Sequence, residues 1–542
     1  LKRHVGQRPP VAVLIAPVAT CMRSTVKYAP LPMKERSASS PRRRRAPGRR
    51  VCCLLLPAAQ VAAGLLPVSF CDTVLAEHLP TLLVGGKALG EEWQWLTSAA
   101  RLAVPAAALL LSPALGVLSE KAWSRGGCSG LHKLLAWHGL AWAAVAQLLL
   151  AQVLDLGRLA GGTSEPGPAS VALAGLGASI YAVARAALQV SFHARAAEAV
   201  PVSRLGATFA LVALLRQVGE TLGLLVVRVR WGQLGYFPGL ATESCGPTSR
   251  CFDARLGLLA AVLLTLLGCP LAALATVSSD VGRAQRRKQQ AQGGEHSGTP
   301  RSPSKRSDTG DQSVVEAALR DPGLCAVLVA AGLGWAGRWA LELSVGHFVD
   351  AELLPDLAGA NTARTCRLQG LYLGIVFTAF IPKLLRMFGA FGLLLSAALA
   401  QAALLLLAPL LREDPGETSV SLWLTAFGPA HALLLAMPPA IAARRARARS
   451  TPVAVAMAMM CVPSAAAQVA WEWLAEPVHG LLGSEAAVLC AGSACSVWAA
   501  AVCSRAIACD RDGYRPLGRD PGAAGGKLGL TLPGLPRRQT RV

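Results

Sequence analysis

Charged side chains set inside long apolar stretches are the residues of this 542-residue chain best suited to chemistry. Arg216 and Glu220 stand four apart, as do Arg338 and Glu342, so on a helix each guanidinium lies over a carboxylate on one face. Such a pair is either a self-neutralising lock between helices or a carboxylate that takes up a proton when its arginine engages a solute. Asp72 has no basic residue within a helical turn. It suits either a proton carrier or a water-exposed vestibule. Trp335 and Trp339 could stack on a sugar ring or fill helix packing. His138, His431 and Glu472 are lone polar residues on apolar helices, suited to hydrogen bonding between helices. Cys245 and Cys251 share a polar loop and are the candidate disulfide. No CxxC pair or Cys/His cluster has metal spacing, so neither a metal nor a cofactor is expected.

The background to these residues is unusually apolar. The chain is 53% hydrophobic and 15% charged, with a mean hydropathy of +0.44, against about 25% charged in soluble domains. Apolar runs of roughly 20 residues match the length that crosses a bilayer. Net charge is +22, but aromatic and basic residues do not interleave, so nucleic acid is not an expected partner. The lipid bilayer and a small solute are. No GxSxG, HExxH or P-loop occurs, which speaks against an enzyme.

Twelve apolar runs emerge, each expected to be helical because a spanning backbone must satisfy its own hydrogen bonds. The eighth and ninth are placed at 368–388 and 389–411. Residues 1–50 carry thirteen Lys/Arg and one acid and read as a disordered cytoplasmic tail, or alternatively as an organelle transit segment. The chain opens on Leu1, so its true N-terminus is expected to lie upstream. Residues 51–278 hold six runs and 323–505 six more. The Ser/Pro/Gly-rich, basic stretch 279–322 reads as a disordered cytoplasmic linker, and 506–542 as a C-terminal tail. With the N-terminus inside, the tails, linker and inner loops hold 40 Lys/Arg and the opposite loops nine, Arg364 and Arg367 among the nine. Both termini are therefore expected in the cytoplasm. Plasma and organelle membranes are equally open, and the oligomeric state is undetermined, a monomer being plausible. The expected fold is all-α and polytopic, with twelve transmembrane helices in two six-helix bundles.

Two loops in corresponding places carry a resemblance. Pro113-Ala-Leu-Gly116-Val-Leu-Ser119-Glu120-Lys121 through Arg125-Gly126 follows the second run, and Pro382-Lys-Leu-Leu-Arg386-Met-Phe-Gly389 follows the eighth. They resemble the loop-2/3 and loop-8/9 signature of the major facilitator superfamily. Further stretches resemble sucrose-transporter-like members of the glycoside–pentoside–hexuronide cation symporters: Ala58-Ala-Gln60-Val-Ala-Ala-Gly64, His193-Ala-Arg195-Ala-Ala-Glu198, Val218-Gly219-Glu220-Thr-Leu-Gly223, Gly332-Leu-Gly-Trp335 and Val455-Ala-Met-Ala-Met-Met-Cys-Val462-Pro463. The likeness covers about 51–505. The family's fourth-span acid falls at Ala184, beside Arg185. Its fifth-span Asn is Glu220, and its seventh-span acids fall at Val345 and His347.

The resemblance implies a secondary transporter that moves sucrose or a related glycoside with H⁺ by alternating access, with Arg195 the leading substrate-binding residue. Arg216, Glu220, Asp72, Arg338 and Glu342 are the further candidates for the substrate and proton pathway. A carrier for an organic anion, folate-like compound or nucleoside is the alternative, favoured by the extra arginines Arg185 and Arg338. A non-transporting membrane sensor is the reading from a different class.

Overall fold

The computed structural model describes residues 59–85, 94–124, 128–161, 168–234, 249–268, 312–353, 360–413, 416–449 and 451–509. All belong to one compact unit, Pro57–Val542. The tail 1–50, Cys245, most of the linker and most of the C-terminal tail lie outside the described residues.

Twelve long helices occur among the described residues, six before the linker and six after it. The first six are α1 (Leu65–Gly85), α2 (Gln94–Ser124), α3 (Cys128–Ala151), α4 (Pro168–Ala199), α5 (Leu205–Arg228) and α6 (Arg250–Gly268). The second six are α7 (Pro322–His347), α8 (Ala360–Thr378), α9 (Ile381–Leu406), α10 (Glu417–Ala448), α11 (Val453–Leu482) and α12 (Glu485–Cys509). Among the described residues, ten of these helices are long and apolar enough to cross a membrane, or eleven when α3 is joined to Val153–Gly161 across a 66° bend. The twelfth, α8, is the most polar because it carries Arg364 and Arg367. The side chains these helices leave outermost are apolar, among them Leu110, Leu267, Leu481 and Trp498, as a bilayer requires. The chain is an integral, multi-pass membrane protein with an all-α fold.

The eighth and ninth spans differ from their expected positions. The start of α8 at Ala360 moves Arg364 and Arg367 out of a loop and into the membrane part, and Arg255 likewise lies inside α6. An apolar window cannot extend through two arginines, so it misses a helix turn whose charges are neutralised by other helices. The second signature loop lies between α8 and a break in α9 at Gly389, where φ is 72° and ψ is 170°. Side chains rarely adopt that backbone, and glycine adopts it freely. Gln312–Leu319, within the stretch read as linker, is helical. Its Glu316 pairs with Arg320 at 2.7 Å, and its Ala318 is fully buried.

Packing repeats between the halves. In the first, α1 lies against α5, α2 against α4 and α3 against α4; in the second, α7 lies against α11, α8 against α10 and α9 against α10. Between the halves, α2 meets α11 and α5 meets α8, while α4 meets α11 and α5 meets α10. Each contact is matched by its counterpart six helices away, which is the pattern of an internal pseudo-two-fold.

Small residues set the closest approaches. A Cβ on Gly219 of α5 would lie 3.1 Å from the carbonyl carbon of Leu66 and 3.2 Å from the amide nitrogen of Phe70, both backbone atoms of α1. In the same way a Cβ on Gly428 of α10 would lie 2.8 Å from the amide nitrogen of Gly374 in α8. Replacing Gly219 by leucine should therefore force α1 and α5 apart and cost about 1–3 kcal/mol. In detergent its unfolding temperature should fall, whereas Gly175→Ala, which meets nothing within 4 Å, should leave it unchanged.

Candidate functional site

Two groups of charged side chains sit where the halves meet. The first draws on five helices. Arg367 of α8 points Nη2 at Glu220 of α5 and at Glu342 of α7, 3.1 Å from each, and places Nη1 3.6 Å from Glu77 of α1. Arg364, one helical turn earlier, reaches Glu77 at 2.9 Å. Arg338 pairs with Glu342 along α7. His431 of α10 brings Nε2 to 3.5 Å from the second oxygen of Glu220. Three carboxylates thus face three guanidiniums, and the network is balanced. Glu77 and Glu220 come from one half, Arg364 and Arg367 from the other, so these ion pairs hold the halves together.

The close approaches at Gly219 and Gly428 explain the geometry. Gly219 lets α5 lie on the backbone of α1 at Leu66 and Phe70, and Glu220 is the next residue. Gly428, one turn before His431, lets α10 settle onto α8 and brings the imidazole toward the carboxylate that Arg367 holds.

The second group is smaller. Asp72 of α1 accepts hydrogen bonds from Arg185 Nε at 2.8 Å and from the Tyr181 hydroxyl at 2.7 Å, both on α4. The partner missing from the sequence around Asp72 is therefore supplied by another helix. Next to this group a cavity of about 670 Å³ opens between the halves. Its polar lining comprises Arg185, Gln189 and His193 of α4, Arg216 of α5, and Ser464 and Gln468 of α11. The lining contains no carboxylate. The Nδ1–H of His193 donates to the carbonyl of Gln189 at 2.8 Å, because a carbonyl can only accept. Pro438 and Pro439 also line the cavity. Lacking N–H groups, they leave the carbonyls of Leu434 and Leu435 without their usual i+4 donors, and both leucines line the same cavity. A neighbouring space of about 400 Å³ lies within the second half, lined by Arg338, Glu342, Arg367 and His431. Trp335 links the two spaces: it lines the first and meets His431 edge-on at 5.9 Å.

The expected site residues are redistributed accordingly. Arg338 and Glu342 do pair. Arg216 and Glu220 do not: Glu220 is engaged by Arg367 and His431, while Arg216 turns into the larger cavity with no ion pair or hydrogen bond among the described residues. Arg195 is buried, with 2% exposure, and lines neither space. Trp335 faces the cavity, whereas Trp339 packs against the cluster around Trp471. His138 is exposed on the outer face of α3. Cys251 is disulfide-bonded, and with Cys245 outside the described residues their pairing stands as a proposal.

Sequence reasoning missed Glu77, Arg364, Arg367, Tyr181, Gln189, His193 and Gln468. A signal for part of the set was present. Tyr181, Arg185, Gln189 and His193 recur every fourth residue along α4, a polar stripe on an apolar helix. Arg364 and Arg367 are likewise spaced to share a face.

No protein-family model and no curated protein matches the sequence. Solved structures do match the fold. The proton:xylose symporter XylE bound to 6-bromo-6-deoxy-D-glucose superposes with a TM-score of 0.57 at 13% identity, covering 84% of this chain and 96% of that one. A bacterial homologue of the iron transporter ferroportin, in its outward-facing state, gives 0.57 at 14% identity over 83% and 99%. A single-residue variant of the E. coli fucose:proton symporter FucP gives 0.56 at 12% identity over 84% and 99%. The fold is that of the major facilitator transporters.

A half-buried ion network is costly to break from one side, because the remaining charges lose their compensation. Arg367→Gln leaves Glu220 and Glu342 short of a partner and should lower stability by about 3 kcal/mol. Arg320→Gln, which removes a largely exposed pair, should cost under about 1 kcal/mol. Chemical denaturation in detergent measures both, and adding Glu220→Gln to Arg367→Gln should recover part of the loss.

Proposed function

We propose that the chain is a secondary active carrier that moves a small organic solute across a membrane by alternating access. The cavity between two pseudo-symmetric halves, joined by ion pairs that can open and reform, is the support for this reading. Basic residues in the tails and linker favour both termini in the cytoplasm.

The lining of the cavity favours an organic anion as the solute. Arg185 is neutralised by Asp72, and no acid among the described residues pairs with Arg216. One guanidinium therefore remains to hold a carboxylate in its planar fork. Gln189, Gln468 and Ser464 can add hydrogen bonds, the Leu434 and Leu435 carbonyls can accept them, and Met457, Met460 and Trp335 offer an apolar wall.

A second reading, sucrose or a related glycoside with H⁺ symport, is favoured by a different observation. Trp335 offers a ring face, the amides and free carbonyls suit hydroxyl groups, and Asp72 with Tyr181 and Arg185 is a group that could exchange a proton. A thermal-shift comparison separates the two. Monocarboxylates should raise the unfolding temperature of the wild type and leave Arg216→Gln unmoved. Stabilisation by sucrose and by no carboxylate, with sucrose uptake into proteoliposomes driven by an inward proton gradient, would establish the second reading instead.

A further inference from the structure

The larger cavity holds one titratable side chain that neither the ion pairs nor the reading above puts to use. His193 of α4 is 6% exposed and lines the cavity together with Arg216 of α5. Two contacts fix its ring. Nδ1 carries the proton, because it donates to the carbonyl of Gln189 one turn earlier. The ring also lies nearly parallel to that of Phe209 on α5, with centroids 6.2 Å apart and planes 11° from parallel. Nε2 is then the remaining polar atom, and no group among the described residues bonds to it. In a neutral imidazole protonated at Nδ1, Nε2 has a lone pair and can only accept. The lining supplies two guanidiniums and no carboxylate, so the neutral ring is the form that adds no further charge to it.

That acceptor is not alone. On α10, Pro438 and Pro439 leave the carbonyls of Leu434 and Leu435 without their usual i+4 donors, and both leucines line the cavity. Arg216 requires an anionic group of the occupant, and the acceptors require hydrogen-bond donors. A hydroxyl meets the second requirement without adding charge. An ammonium would meet it too, but a zwitterion is neutral overall and leaves the charge of Arg216 uncancelled.

We propose that His193 is a specificity-determining residue: its Nε2 accepts a hydrogen bond from a hydroxyl of the solute, so the anion carried is a hydroxylated monocarboxylate. The proposal rests on the organic-anion reading above and adds a second functional group to it. An analogue without the hydroxyl leaves a buried acceptor unpaired, and that penalty is what rejects it.

Solutes built on one carbon skeleton test this with full-length protein in detergent, their affinities read from the dose dependence of the unfolding temperature. The reference is 3-phenylpropionate. A hydroxyl is added at C2 in 3-phenyllactate, at C3 in 3-hydroxy-3-phenylpropionate and on the ring in 3-(4-hydroxyphenyl)propionate, and an ammonium at C2 in phenylalanine. The wild type should bind the best of the three hydroxylated acids about tenfold more tightly than the reference, the worth of one hydrogen bond to a buried group, and phenylalanine more weakly than that acid. In His193→Phe, which keeps an aromatic ring against Phe209 and removes the acceptor, the preference should vanish while the reference binds as before. If that variant does not fold, His193→Leu, which also lacks an acceptor, takes its place. His193→Gln restores an acceptor and should recover part of the preference. Equal binding of all four acids by the wild type would overturn the role of His193 and leave the anion reading in place. So would a preference that survives in His193→Phe, or phenylalanine binding as tightly as the best hydroxylated acid. If folded wild-type protein binds none of the four acids, the anion reading fails and the role of His193 falls with it.

Discussion

Neutralisation of charge away from water is the constraint on which this structure depends. A guanidinium or carboxylate inside the membrane part is tolerated when a partner meets it at hydrogen-bond distance. Arg367 meets that requirement through two carboxylates on two other helices, Glu220 and Glu342, with Glu77 of a third at 3.6 Å. The helices must therefore approach within a few ångströms at one layer. Glycines on α5, α8 and α10 permit that approach where the charges sit. Charge and small-residue packing are parts of one arrangement here, because neither would be stable at these positions without the other.

The pairing also divides the interior into two regions with different chemistry. In the ion-paired layer, every carboxylate has a guanidinium and the charges cancel. In the larger cavity, the walls hold Arg185, whose charge Asp72 cancels, and Arg216, for which the described residues supply no acid. His431 and Trp335 lie between the two regions, in contact with Glu220 on one side and the cavity on the other. A change in the cavity thus has a short physical route to the contacts that join the halves, and vice versa.

The likeness to sugar symporters and to a ferroportin homologue is a likeness of fold at 12–14% identity, and function resides in sites placed on a fold. In this chain, the position at which Arg195 was expected to bind substrate is instead enclosed by protein, and the cavity is furnished by the residues of α4 that precede it.

The sequence by itself determined that the chain is a helical membrane protein in two halves. Apolar runs of spanning length admit no other backbone, since a bilayer offers it no hydrogen-bond partners. It also offered the pairing of Arg338 with Glu342, a contact one turn long on a single helix, on the same spacing that offered Arg216 with Glu220. Only the tertiary structure decided which charges meet across helices. Asp72 finds Arg185 and Tyr181 more than a hundred residues away, and Glu220 abandons the arginine on its own helix for Arg367. Local spacing says which side chains share a face, but not what that face touches. An apolar window, moreover, ends at a charge whether that charge faces water or a buried partner. For that reason Arg364 and Arg367 read as loop residues, and only the packing of α8 against α5 and α10 brought them into the interior.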